Sequence, residues 1–425
     1  MKYSINTYRL YDSESRFSFS IRTKVTMKDT VDGDTLRRSV NTAIQRYPYY
    51  RVKVSVDSDG GYILPENTAP IAVLPVARKT RMLGSKEVNE HLFFVEYEGK
   101  DIYFNISHSL CGGKGALPLV MTNIWQYVKD RYHFEPNSPA IRKPGEPLLE
   151  DETAELTLDM LAKEPPIAKS VSKHPVILLN DYLNGLYNPL MRNPNYTLFS
   201  FQQKDVVDFI KANDSSVVSF FLIVMAKALD KVLPAKHKVI GGETAHFPGA
   251  DFGIPNTHCD LLSHVYLDYE RNQLSSDMER LGTMTRGQII WQTDPTVSSE
   301  QFRSLYEAYD KTDQISGLAE KRKYLNKNMT NGENRRHGTY ILNYTGQMQW
   351  GEVADYVDSY CIIVEGHLLG EVTSMENQIF LSVMQLIKTD KYTNAIRTVL
   401  DELRIPYKVE GPFPKHLSRH SIPVR

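Results

Sequence analysis

Between Asn137 and Asn195 the chain loses its periodicity. Prolines are frequent there, acidic and basic clusters alternate, and apolar residues follow neither a two-residue nor a 3.6-residue spacing. A connection of that length with only short helical pieces is unusual inside a compact domain, so it marks a boundary. On either side the texture is the same: alternating strands followed by amphipathic helices. We therefore expect an α/β (α+β) chain of two sheet-plus-helix domains lying side by side. The first spans 1–165, a crossover spans 166–195, and the second spans 196–425. With 425 residues, 41% of them hydrophobic, two cores can be filled.

In the first half, "RFSFSIRTKVTM" alternates and predicts a strand. Leu36, Val40, Ala43, Ile44 and Tyr47 fall at helical spacing, with Asp32 or Asp34 as the cap and Pro48 as the stop. "RVKVSVDSDGGYILPE" predicts a hairpin turning at Asp59-Gly60-Gly61. Two apolar strands then flank Glu98-Gly99-Lys100, and a helix follows from Ala116. The second half opens on a strand and helix in "YTLFSFQQKDVVDFIKAN", then a strongly apolar helix capped by Ser215 or Ser216. "KVIGGETAHF", "CDLLSHVYLDY" and "HGTYILNYTGQMQWGE" predict strands, "DSYCIIVEG" and "NQIFLSVMQLI" a strand pair, and "YTNAIRTVLDELRI" the last helix.

Several function classes are disfavoured. Lys plus Arg (50) balance Asp plus Glu (51), with no basic stripe of the kind nucleic acid requires. The longest apolar run, about ten residues before Lys227, is too short to span a bilayer. The N-terminus lacks the apolar core of a signal peptide. Cys111, Cys259 and Cys361 are scattered, which suggests neither a disulfide framework nor a zinc site and fits a reduced, cytoplasmic setting. His246 and His258 lack a third ligand at metal spacing, so no metal is expected, and "GGETAHF" is not a phosphate loop.

The chemistry concentrates in "YFNISHSLCGGKGALPLV", Tyr103 to Val120. One histidine, His108, ends a strand, and Gly112, Gly113 and Gly115 follow at once. An imidazole where a chain leaves a sheet can face a cleft and act as a general base near neutral pH. Glycines after it permit φ > 0 and close approach of a ligand, and the Gly113 N–H can donate to an oxyanion. The bland alternative is a structural histidine followed by a tight strand-to-helix turn. Cys111 reads as small apolar packing rather than a nucleophile, because nothing in a turn brings its thiol against His108.

"HSLCGGKG" resembles the HxxxDG motif of the chloramphenicol acetyltransferase-like superfamily, which includes condensation domains, alcohol acetyltransferases and BAHD acyltransferases. "VDGDTLRRSVNTAIQRYPYYRVKV" resembles the family's first helix and strand, "SSVVSFFLIVMAKAL" its buried second-half helix and "ILNYTGQMQWGE" the strand and loop of the second half, all in the family's order. The resemblance implies two domains with a channel between them, and His108 midway along it as the base. It implies an acyl group moving from a coenzyme A or carrier-protein pantetheine thioester to a hydroxyl or amine, with no permanently bound cofactor. It also implies that one chain can work as a monomer. Gly112 and Gly113 would form the oxyanion loop, and Ser107, Asn343, Tyr344 and Trp350 are candidates for lining the channel. Trp350-Gly351 resembles a second motif of mainly structural role.

The departures are definite. Gly112 stands where the motif has Asp, and Ser107 stands where condensation domains have a second histidine. Arg22 is a candidate for the arginine that this Asp would pair with; it is expected to be solvated or paired elsewhere. The charged run Glu320 to His337 reads as a solvated helix end, with a basic rim for coenzyme A phosphates as the alternative. Two functions therefore compete: an acyltransferase with His108 as base, and a non-catalytic relative that keeps the fold as a binding or scaffold protein.

Overall fold

The computed structural model describes residues 4–12, 19–168, 192–327, 339–387 and 389–423. The first half contains α1 (Ile5–Tyr8), β1 (Ser20–Met27), α2 (Gly33–Ala43), β2 (Ser55–Val56), β3 (Tyr62–Ile63), β4 (Val73–Pro75), β5 (Phe93–Glu98), β6 (Asp101–Ser107) and α3 (Gly113–Tyr132). Asp32 caps α2 by accepting from the Thr35 N–H at 2.8 Å. Gly99, at φ +57°, turns β5 into β6, a conformation that favours glycine. Along β6, Ile102, Phe104 and Ile106 enter the core while Asn105 and Ser107 face the other side.

The second half contains β7 (Arg192–Gln202), α4 (Gln203–Ala212), α5 (Val217–Val232), β8 (Val239–His246), β9 (Ser263–Glu270), α6 (Met278–Gln292), α7 (Pro295–Asp313) and α8 (Leu318–Leu325). It continues through β10 (Tyr340–Met348), β11 (Val357–Ile363), β12 (Leu368–Met375), β13 (Gln378–Ile387), α9 (Lys391–Glu402) and β14 (Lys408–Pro414). A capping box between Ser216 and Ser219 starts α5. Its Phe220 to Ala226 run is buried in the second core against β10, β12 and β13.

Two sheets organise the molecule. The first has the order β11-β1-β6-β5-β4, and the second β14-β7-β13-β12-β10-β8-β9. The expected pairing of "DSYCIIVEG" with "NQIFLSVMQLI" is not what forms. β11 leaves its sequence neighbours and pairs antiparallel with β1, while β13 lies between β7 and β12. The reason is burial: Tyr360, Cys361, Ile362 and Ile363 all sit in the first core. The sheets then meet where the Thr373 hydroxyl donates to the Tyr360 carbonyl (2.8 Å) and Ser382 to the Ile362 carbonyl (2.6 Å).

Two further crossings join the halves. The N-terminal segment lies on α7: Tyr8 stacks on Tyr309 at 4.0 Å, and its hydroxyl donates to Asp313 at 2.7 Å. Tyr8, Tyr11, Leu261, Phe302 and Tyr309 belong to a third, smaller core. After β14 the C-terminal tail returns to the first half, where Leu83 exchanges backbone hydrogen bonds with Arg419 and Ser421, each 2.8 Å. The connecting segment is described only to residue 168. Its anchors are deep: Ser138 donates to the Trp350 carbonyl, and Glu152 is fully buried.

Candidate active site

His108 is the first residue beyond β6. Its N–H donates to the Phe19 carbonyl at 2.9 Å, which extends the β1–β6 ladder by one step. The ring packs edge-on against Phe19, with centroids 5.8 Å apart, and the residue as a whole is half-buried. Nδ1 is shut off from solvent. Burial lowers the imidazole pKa below 6.5; the nearby Asp260 carboxylate opposes this, and Arg9 adds to the lowering. The ring is therefore neutral at physiological pH.

The glycines do something other than what their spacing suggests. Gly112 is the N-cap of α3 at φ −78° and ψ −177°, backbone that other residues adopt freely. What it lacks is room. A Cβ there would lie 2.5 Å from Oδ1 of Asp260. At Gly115 a Cβ would lie 2.7 Å from the His258 carbonyl oxygen. These two glycines admit the segment His258 to Asp260, from the loop between β8 and β9, against the first turn of α3. Gly113 alone faces open space, with nothing within 4 Å of a would-be Cβ. Its N–H belongs to the first helical turn, where donors have no intrahelical acceptor.

Sequence reasoning missed the side chains that surround this turn. Asp260 is buried and pairs with Arg9 (Nε to Oδ2, 2.8 Å). The Asp260 N–H donates to Asn6 Oδ1 (2.8 Å), and Asn6 Nδ2 donates to the Leu110 carbonyl (2.9 Å). Asn6 thus ties the turn after His108 to the loop carrying Asp260. His420, on the C-terminal tail, has Nε2 2.7 Å from Ser107 Oγ, which also lies 2.6 Å from Ser109 Oγ. Burial, followed by the charges of His108 and Arg322, lowers the His420 pKa from 6.5 to about 3. Apart from Ser107–Ser109, these contacts join residues distant along the chain and so leave no local signal in the sequence.

The His420 shift fixes a direction for stability. Between about pH 3 and pH 6.5 the unfolded chain protonates this ring and the folded chain does not. Stability therefore rises with pH across that window and is lost on acidification. His420→Gln, which keeps an acceptor for Ser107, is expected to flatten that dependence in urea melts between pH 4 and 7. Equal slopes for both proteins would show that His420 does not set it.

The other expected site residues are dispersed. Ser107 is fully buried under the tail, so it supports the site from behind rather than lining it. Trp350 is also fully buried, edge-on to Tyr360 at 5.4 Å, and packs the first core instead of a channel. Tyr344 packs against the second core. Asn343 points to the opposite face of β10, where it donates to Glu371 Oε1 at 2.7 Å and accepts from the Ala245 N–H at 3.0 Å. Burial raises the Glu371 pKa to about 7, against that hydrogen bond. Cys111 is buried and its thiol is pushed up to about 12, so it stays protonated. Arg22 has its carboxylate: Nη1 reaches Glu96 Oε2 at 2.8 Å and Asn105 Oδ1 at 2.6 Å. Of the run Glu320 to His337, residues 328–337 lie outside the described residues; Lys321 is buried on the Thr312 carbonyl at 2.9 Å. Among the described residues no helix is long and apolar enough to cross a membrane.

TRI101 of F. graminearum, complexed with coenzyme A and deoxynivalenol, superposes with a TM-score of 0.60 over 95% of this chain and 98% of that one, at 9% identity. Polyketide synthase associated protein 5 from Mycobacterium tuberculosis gives 0.58 over 93% and 96%, at 13% identity. The epimerization domain from the third module of tyrocidine synthetase B gives 0.56 over 93% of each chain, at 10% identity. No family model and no curated protein sequence matches the chain. The chain has the two-domain, chloramphenicol acetyltransferase-like fold shared by acyltransferases and condensation-type domains. At these identities the likeness is one of fold, and the chemistry has to be argued from the site.

Proposed function

We propose that this chain is an acyltransferase that moves an acyl group from a thioester, on coenzyme A or a carrier-protein pantetheine, to a hydroxyl or amine acceptor. The observation that carries the reading is His108: a neutral imidazole on a half-buried residue at the end of β6, beside the open first turn of α3. Several neighbours of the same fold are acetyltransferases or were crystallised with coenzyme A. In this reading residues 1–165 and 196–425 form the two domains, with a substrate channel between them, and the three buried thiols suit a reducing, cytoplasmic setting.

The step balances on this chain's own groups. Nε2 of His108 takes the proton of the acceptor O–H or N–H as that atom attacks the thioester carbonyl. The new bond forms as the carbonyl becomes an oxyanion, to which in this reading the Gly113 N–H donates. The C–S bond then breaks, and the imidazolium returns its proton to the departing sulfur. Because both substrates meet on one surface, proximity supplies much of the rate and no acyl-enzyme is needed.

The test is thiol release from acetyl-, medium-chain and long-chain acyl-coenzyme A, and from the same acyl groups on a carrier protein, each with a panel of alcohols and amines. Acceptor-dependent release by the wild-type chain, lost in His108→Ala, is expected. Release that is independent of acceptor, or absent with every donor, would overturn the reading.

A further inference from the structure

The HxxxDG-like segment of this chain has no acid of its own, yet a carboxylate stands where one would be. Gly112 Cα faces Asp260 so closely that a Cβ would fall 2.5 Å from Oδ1, with Cα and Cγ of Asp260 3.5 Å away. Its backbone conformation makes no demand for glycine. The residue is explained by what it accommodates. We propose that Asp260, delivered by the loop between β8 and β9, is the positioning carboxylate of the His108 turn, seated in the space Gly112 leaves open and locked there by Arg9 and Asn6.

Three separate contacts converge on this assignment. Oδ2 of Asp260 accepts the Arg9 ion pair at 2.8 Å. Its N–H is held by Asn6, whose amide also holds the Leu110 carbonyl inside the turn. Two residues earlier, the His258 backbone closes on Gly115. The N-terminal segment that brings Arg9 is itself fixed by Tyr8 on Tyr309 and Asp313. The turn presenting His108 is thus clamped from the N-terminus and from the second half at once. Asp260 is 2% exposed, and a buried carboxylate of this kind persists only when it is paired.

The charges facing His108 come from several elements. Asp260 favours the imidazolium and Arg9 opposes it. His420, from the tail, interacts with His108 and is neutral above about pH 3. Arg322 acts on His420, and the Cys111 main chain favours the protonated His108 ring. When His108 accepts a proton during transfer, Asp260 is the negative charge that steadies it. This part rests on the general-base reading; the seating of Asp260 does not.

The experiment separates the two. In the full chain with isotope-labelled histidine, the His108 resonance is assigned by its loss in His108→Ala and titrated by NMR. Asp260→Asn is expected to lower its pKa by roughly 0.5–1 unit, and Arg9→Gln to raise it by a similar amount. Shifts of the same sign, or no shift in Asp260→Asn, would overturn the proposal, whereas a purely structural clamp would not produce opposite signs. A second cycle needs no titration. Gly112→Asp is expected to lower the melting temperature, and adding Asp260→Gly to restore most of the loss, because the new carboxylate then takes the vacated place beside Arg9. A double variant no more stable than the sum of the two singles would also overturn it. Absence of acyl transfer in the wild type would remove the proposed activity while leaving both measurements decisive for Asp260.

Discussion

His108→Ala is expected to reduce acyl transfer by about 10²–10⁴-fold, the usual span for losing a positioned general base. The fold should survive. The hydrogen bond that seats the residue comes from its backbone to Phe19 and does not depend on the side chain. The loss should appear in kcat more than in KM, because a proton-accepting group acts on the transition state. His108→Gln offers a hydrogen bond without a titrating base, and should be impaired as severely. The pH profile carries a second signature. His108 must be neutral to act, and its pKa lies below 6.5 through burial. Activity should therefore hold from neutrality down to about pH 6.5 and fall only at more acidic pH. A steady-state assay in which His108→Ala keeps more than about a tenth of wild-type kcat, with an unchanged profile, would remove His108 from the chemistry.

Much of the frame was readable from local spacing, because helices and strands announce themselves within a few residues. The cap at Asp32, the turn at Gly99 and the capped apolar helix at Ser216 all rest on neighbours in sequence. The arrival of a strand at His108 was equally legible. What was not legible is what long-range packing decides. The run containing Tyr360 looks the same whether it pairs with the next strand or crosses to β1; only the first core distinguishes them. Gly112 and Gly115 were read as freedom of the backbone and prove to be clearance for a distant loop. Arg22 shows an intermediate case. Once β1, β6 and β5 are known to lie side by side, with Arg22 opposite Asn105, Glu96 is within reach one strand further. Register narrows the choice without making it, since Glu96 lies in line with Tyr103 and Lys24 and is reached from Arg22 only diagonally. No register could have found Asp260, Arg9 or His420, which come from a loop and from both ends of the chain.

The largest effect on stability is expected at Glu152, in the connecting segment that lacked periodicity. Its carboxylate is fully buried and accepts Arg46 through two contacts, at 2.9 and 2.8 Å, with Arg46 itself 1% exposed. Tyr49 donates at 2.6 Å, the Leu149 N–H at 3.0 Å, and Arg142 approaches to 3.4 Å. Burial alone would raise this carboxyl's pKa; the Arg46 hydrogen bonds, then Tyr49, the Leu149 N–H and the Arg142 charge, hold it below 4.5 instead. Glu152→Gln keeps the shape and removes the charge, leaving Arg46 buried without a counterion. A loss of about 3–5 kcal/mol is expected in urea melts at pH 7. Because the folded-state pKa is depressed, the charge contributes fully above the unfolded value of 4.5 and is lost as pH falls through the folded one. The gap between wild type and Glu152→Gln should therefore narrow only below about pH 4.5. The effect should also reach the site, since the Glu152 carbonyl accepts both the backbone N–H of His258 (3.0 Å) and its Nδ1 (2.9 Å). His258 lies two residues before Asp260, so loosening Glu152 loosens the loop pressed against the His108 turn. A Glu152→Gln variant within about 1 kcal/mol of wild type at pH 7 would mean that water or a rearranged Arg46 replaces the charge. The ion pair would then act as a guide to where the segment docks rather than as a source of stability.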